Sequence, residues 1–143
     1  MDCIFCNIIN KEAPSEIIYE DDDIISILDI NPINYGHLLV MTKQHYDNFL
    51  TVPNELLYKL ISKVQFLAGI VKRSTSADGF NTMSNNGIAA GQKIFHFHFH
   101  IIPRFDNDFK LNLISKTYTN EEITKISSKM KETIEKYKEQ ING

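Results

Sequence analysis

Residues 96–102 read His-Phe-His-Phe-His-Ile-Ile, and three of the five histidines in the chain lie in this stretch. Strict alternation has the period of a β-strand, whose side chains point to opposite faces in turn. As a strand, the segment places Phe95, Phe97, Phe99 and Ile101 on one face. His96, His98 and His100 occupy the other, spaced by about 6.6 Å at two residues of strand rise. The apolar face calls for a core. Three imidazoles in a row are hard to explain by packing, although a polar face with incidental histidines is the plain alternative. Imidazole titrates near neutral pH, with an unperturbed pKa of about 6.5, and is the commonest metal ligand. The row therefore suggests one of two sites. One is a metal site built from His-x-His pairs. The other is a phosphate site in which a neutral histidine attacks phosphorus while its neighbours handle protons and charge.

Both cysteines lie near the start, as Cys3-x-x-Cys6. The spacing suits half of a zinc knuckle, but structural zinc takes about four ligands and no second Cys-x-x-Cys follows. Histidines would have to supply the rest. A redox pair is the competing reading, without the βαβ context that would support it. Two small residues packed near the terminus is the third.

Short strands and two helices must position these groups. Ile17-Ile18-Tyr19 and Ile24 to Leu28 are β-branched runs on either side of the acidic turn Glu20 to Asp23, which predicts a hairpin. Asp29 to Gly36 reads as a loop, Leu38 to Met41 as a strand and Phe80 to Met83 as another. A helix is expected from near Pro53, with Leu56, Leu60, Val64, Leu67 and Val71 along one side. Asn85-Asn86-Gly87 marks a turn before the histidine strand. Thr119-x-x-Glu122 is a capping-box signal for a last helix over about 119–141. Its stripe is Ile123, Ile126, Met130, Ile134, Tyr137 and Ile141, and the bland reading is a helix lying on the domain or a partner with a solvated outer face.

At 143 residues, with 43% hydrophobic and 23% charged content, the composition is that of an ordinary globular protein. A net charge of −3 gives no basic field for nucleic acid or an anionic membrane. There is no apolar run of membrane-spanning length, and the opening Met1-Asp2-Cys3 lacks a signal-peptide pattern, so the cytoplasm is the expected compartment. A structural disulfide is disfavoured there.

Taken in order, these motifs resemble the histidine triad superfamily of nucleotide-binding hydrolases and transferases. The resemblance covers about residues 3–105 and rests on several stretches. They are Ile4-Phe5, the loop Asp29 to His37, Lys43-Gln44-His45, Asn85-Asn86-Gly87 through Gly91-Gln92, and His96-x-His98-x-His100-Ile101-Ile102. It implies an α+β fold: a single domain over 1–143 with an antiparallel sheet of about five strands and a central helix. Residues 1–105 would be its core and 106–143 an extension carrying the added C-terminal helix. A homodimer that continues the sheet is usual for the family. The resemblance makes His98 the nucleophile toward an α-phosphorus, with His100 on the phosphate and His37 in support. It gives Asp29 to the ribose and Asn85 to ribose and phosphate. Gln92 belongs to the Gly-Gln step, and Ile4, Phe5, Ile8 and Leu28 form an apolar wall for a purine base. Lys93 stands where relatives often carry a hydroxyl residue, and no phosphate role is carried over to it.

Some bacterial-type members resemble the chain further in carrying zinc. Their ligands match Cys3, Cys6, His45 and His96, a structural Cys2His2 set that moves His96 from catalysis to metal. The chain departs from the phosphoramidase branch after the triad. It has no Trp, and Pro103-Arg104-Phe105 leads into the long extension. Arg104 could touch a phosphate or pair with an acid. The expected activity is cleavage of purine nucleoside phosphoramidates or related adenylylated small molecules, with AMP-like ligands. A dinucleoside polyphosphate hydrolase and a zinc-stabilised nucleotide-binding scaffold with little catalysis are the alternatives.

Overall fold

Two consecutive runs, β2 (Ile24–Leu28) and β3 (Leu38–Thr42), are almost entirely buried, so both of their faces must be covered. They lie at the centre of a five-stranded antiparallel sheet with β1 (Ile17–Glu20), β4 (Gly79–Met83) and β5 (His98–Arg104), in the order β1-β2-β3-β5-β4. The computed structural model describes residues 2–108 and 114–140. Alternation sorts the strands into two cores. Ile24, Leu38, Val40, Phe97 and Ile101 pack against Leu60, Val64, Leu67 and Val71 of α2 (Asn54–Thr75). Ile25, Ile27, Leu39 and Met41 point the other way and pack against Phe5 and Ile8 of α1 (Ile4–Ile9).

The hairpin, the loop after it and the start of α2 directly after Pro53 fall where the residue patterns put them. α1 was not expected. It has six residues, too few to show a helical period and too few to persist alone in water. The Cys3 Sγ caps it by accepting the Cys6 amide at 3.4 Å, and packing on the sheet does the rest.

The histidine strand begins later than expected. β5 starts at His98, and its register with β3 begins at the pair Met41 and His98. The Phe97 amide donates instead to the Tyr46 carbonyl at 2.6 Å, which takes residues 96–97 out of the ladder. Alternation nevertheless holds from Phe97 onward. Phe97 and Ile101 are buried against α2, while Phe95 is 43% exposed and leaves the apolar face.

The chain divides into two compact units, Met1–Asp108 and Phe109–Gly143. In the second, α3 (Asn120–Tyr137) begins at the expected capping box, with Thr119 and Glu122 each bonding the other's backbone amide. A 3-10 turn, Lys138–Gln140, follows it, and Ile141 lies outside the described residues. Among the described residues no helix is long and apolar enough to cross a membrane.

Candidate active site and metal centre

His98 is the second residue of its row and the first of β5, and 8% of it is exposed. Its Nδ1 lies 2.7 Å from the carbonyl oxygen of His96. A carbonyl can only accept, so Nδ1 carries the proton and neutral His98 keeps its lone pair on Nε2. Burial depresses its pKa, which keeps the ring neutral.

A second chain of hydrogen bonds fixes His100 in the opposite sense. The Ile33 amide donates to His37 Nδ1 at 3.1 Å, so neutral His37 bears its proton on Nε2. That Nε2–H reaches His100 Nδ1 at 2.9 Å. His100 Nδ1 therefore accepts, and the His100 proton sits on Nε2. Two neighbouring imidazoles, with ring centroids 4.9 Å apart, thus present one lone pair and one donor. Burial lowers the His37 pKa and, with His98 and His37 close by, takes His100 down to about 4. Asp29, His37 and His100 are close enough to share a cation. The Ile33 N–H argues against one, because a His37 that accepts at Nδ1 has no free lone pair on Nε2.

These rings open onto a cavity of about 500 Å³. Ile4, Phe5, Ile8, Leu28, Asp29, His37, Asn85, Gln92, His98 and His100 all line it, so the sequence-derived catalytic and substrate residues come together in one place. Phe5 meets His98 edge-on with ring centroids 5.1 Å apart, joining the apolar wall to the histidines. Asp29 Oδ2 is 3.6 Å from His37 Nε2, and its Oδ1 accepts the Asn31 amide at 2.8 Å. The Gln92 carboxamide is engaged within the protein. It accepts from the Gly87 amide and donates to the carbonyls of Asp47 and Ile94, so it shapes the wall by clamping its loop. Pro14, Ser15, Ile33, Lys93 and Ile94 also line the cavity and were not singled out as site residues. Ile33 falls in the loop already marked, but the others carry no periodic or motif signal.

Arg104 pairs with an acid. Its guanidinium holds both Asp108 oxygens at 2.9 and 2.7 Å, and Asp108 also accepts from Asn34 at 3.0 Å. The pairing ties the loop that presents His37 to the end of β5 and drives the Asp108 carboxyl well below the usual carboxylate range.

Cys3, Cys6, His45 and His96 form a separate cluster, with their ligand atoms all within 4.8 Å of one another. The Nδ1 of His96 lies 3.5 and 3.6 Å from the two sulfurs, and His45 Nδ1 lies 3.4 Å from Cys6 Sγ. A tetrahedral ion with Zn–S of about 2.3 Å and Zn–N of about 2.0–2.1 Å separates sulfur from nitrogen by about 3.6 Å, so the donors fit. The outer nitrogens are held as metal-ligating histidines require. His96 Nε2 donates to the Thr42 carbonyl at 2.7 Å, and His45 Nε2 to Asp47 at 3.1 Å. Burial and the adjacent Cys3 raise the Cys6 thiol to about 11, a shift that a bound cation would reverse. His96 thus faces the sulfurs, away from the cavity-lining set.

Fold and site agree with comparison to known proteins. The chain matches the HIT domain family over residues 10–107, and it belongs to that family. It is similar to adenylylsulfatase HINT3 of Arabidopsis thaliana, at 45% identity over 75% of this chain and 54% of that protein. Its structure is similar to that of a Streptococcus mutans UA159 protein, with a TM-score of 0.87 and 33% identity over 93% of this chain and 85% of the other. It is also similar to a zinc-bound histidine triad family protein of Mycobacterium smegmatis, with a TM-score of 0.72 and 36% identity over 85% and 86% of the two chains.

Proposed function

We propose that this chain is a nucleotide hydrolase that cleaves the bond between the α-phosphorus of a purine nucleoside monophosphate and a small leaving group. The fixed tautomer of His98 carries the reading, because it leaves Nε2 as an aimed, unprotonated nucleophile. Nε2 attacks phosphorus, the P–N or P–O bond to the leaving group breaks, and a nucleotidyl-His98 forms. Water then attacks the same phosphorus, displaces Nε2 and releases the monophosphate. His100 Nε2–H donates to the phosphoryl oxygens, whose charge grows in the transition state. His37 holds the His100 tautomer. Asp29 accepts from the ribose hydroxyls, Asn85 contacts ribose and phosphate, and Ile4, Phe5, Ile8 and Leu28 sandwich the base.

Phosphoramidates and adenylylated small molecules are the substrate class. The adenylylsulfatase name of the Arabidopsis relative supports it, since adenylyl sulfate is one such molecule. Zinc held by Cys3, Cys6, His45 and His96 would be structural, tying α1 and its base wall to the approach to β5. The reading includes a cytoplasmic setting and a homodimer, for which β4 offers an edge of the sheet. Neither nucleic acid nor membrane is a partner in it. The test compares AMP release from an adenosine phosphoramidate and from a diadenosine polyphosphate. A faster phosphoramidate reaction is expected. Release from the polyphosphate alone would favour the dinucleotide activity, and release from neither would leave a binding protein.

A further inference from the structure

We propose that Lys93 selects substrates whose leaving group carries negative charge, such as sulfate or phosphate. The proposal rests on the hydrolase reading and narrows its substrate class. Of the described Asp, Glu, Lys and Arg residues, only Asp29 and Lys93 line the cavity. They come from different segments: Asp29 directly after β2, and Lys93 on the loop entering β5. Cations elsewhere are paired, with Lys43 on Glu20, Lys59 on Asp23 and Arg104 on Asp108. Lys93 has no ion-pair or hydrogen-bond partner among the described residues. Its side chain is exposed, but its backbone is fixed. Gln92 on one side donates to the carbonyl of Ile94 on the other at 3.1 Å and to that of Asp47 at 2.6 Å.

In-line displacement sends the leaving group away from the attacking atom. His98 is buried and Lys93 is exposed on the lining of the same cavity, and the proposal places the departing group on that exposed side. The base and sugar carry no negative charge and have their own partners in Asp29 and the apolar wall. The ammonium is left for whatever lies beyond the α-phosphorus.

The test uses the full chain with His98→Asn, so that binding is read without turnover. Calorimetry compares ADP, whose β-phosphate takes the leaving-group position, with AMP morpholidate, whose leaving group is not anionic. Lys93→Gln should weaken ADP relative to the morpholidate by about 2- to 5-fold, the range for a solvent-exposed ion pair. Lys93→Arg should keep the preference, and about 1 M salt should shrink it. Without His98→Asn, the ratio of kcat/KM for adenylyl sulfate over the phosphoramidate should fall by at least as much on Lys93→Gln. Equal weakening of both ligands would assign Lys93 to the α-phosphate and overturn the proposal, as would no change in either. A protein that binds neither ligand overturns the hydrolase reading and this proposal together. A shifted binding preference in a chain without turnover overturns the hydrolase reading alone.

Discussion

At His98 the chemistry depends on where one proton sits. The carbonyl of His96, two residues earlier in the approach to β5, holds that proton on Nδ1, so the segment leading into the strand sets the tautomer of the proposed nucleophile. His98→Asn should keep AMP affinity while turnover falls by several orders of magnitude, as is usual when one member of a catalytic unit is lost. Near-native turnover in that variant would remove His98 as nucleophile. Asp29 should read the sugar. A buried acceptor left without its donors costs about 1–3 kcal/mol, roughly 5- to 150-fold in affinity. AMP should therefore bind more tightly than its 2′-deoxy and 3′-deoxy analogues, and Asp29→Ala should erase most of the gap. Equal binding of all three ligands to the native protein would take Asp29 out of the ribose contact. Burial of His100 sets the acid limit. Burial holds His100 neutral down to about 4, so kcat/KM should persist well below pH 6.5 and fall only as pH approaches about 4. The unfolded histidine binds its proton near 6.5 and the folded one only near 4. Acid therefore erodes stability as pH falls through that window, and the loss levels off below it. Melting temperatures across the window should fall less steeply for His100→Asn than for the native chain; parallel curves would show that His100 contributes nothing to the slope. Residue type made His98, His100, His37 and Asp29 legible, because few packing roles explain them at that spacing. It left Lys93 and Ser15 obscure, because a lysine or serine in a loop is ordinary until a cavity is seen beside it.

The least legible element is α1, which carries three residues of the apolar wall as well as Cys6. Ile4, Phe5 and Ile8 read as core from their type alone, and six residues cannot display a helical period. Its attachment runs through the Cys3 cap and the four-donor cluster. About one zinc per chain is expected by elemental analysis of protein prepared without chelators. Cys3→Ser should lose that metal and lower the melting temperature, because metal binding stabilises the folded state. The same variant should bind AMP more weakly, since α1 would no longer be tied to the approach to β5. Metal-free native protein would contradict the assignment. The start and the apolar side of α2 are readable, because its 22 residues give a period long enough to see. The start of β5 was not, because alternation in sequence continues through His96 whereas the ladder ends where the Phe97 amide turns to Tyr46.

Across the whole molecule the sheet separates support from chemistry. One face is closed by α2 over Ile24, Val40, Phe97 and Ile101, and none of these four lines the cavity. The other face carries α1, both histidine clusters and the cavity, so the four-donor cluster, the apolar wall and His98 lie on the same side of the sheet. The phenylalanines and histidines of one strand announce this division in advance. The bringing together of Asp29, Asn85 and Gln92 from three loops depends on turns that no local pattern describes. The proposed chemistry turns on a single bond, from His98 Nε2 to phosphorus. Rapid acid-free quenching of the full chain during turnover of an adenosine phosphoramidate, followed by peptide mass spectrometry, tests that bond directly. The account predicts one acid-labile adenylyl group on the peptide containing His98, appearing and decaying at rates compatible with turnover. Normal turnover with no adduct, or with an adduct on another residue, would contradict it.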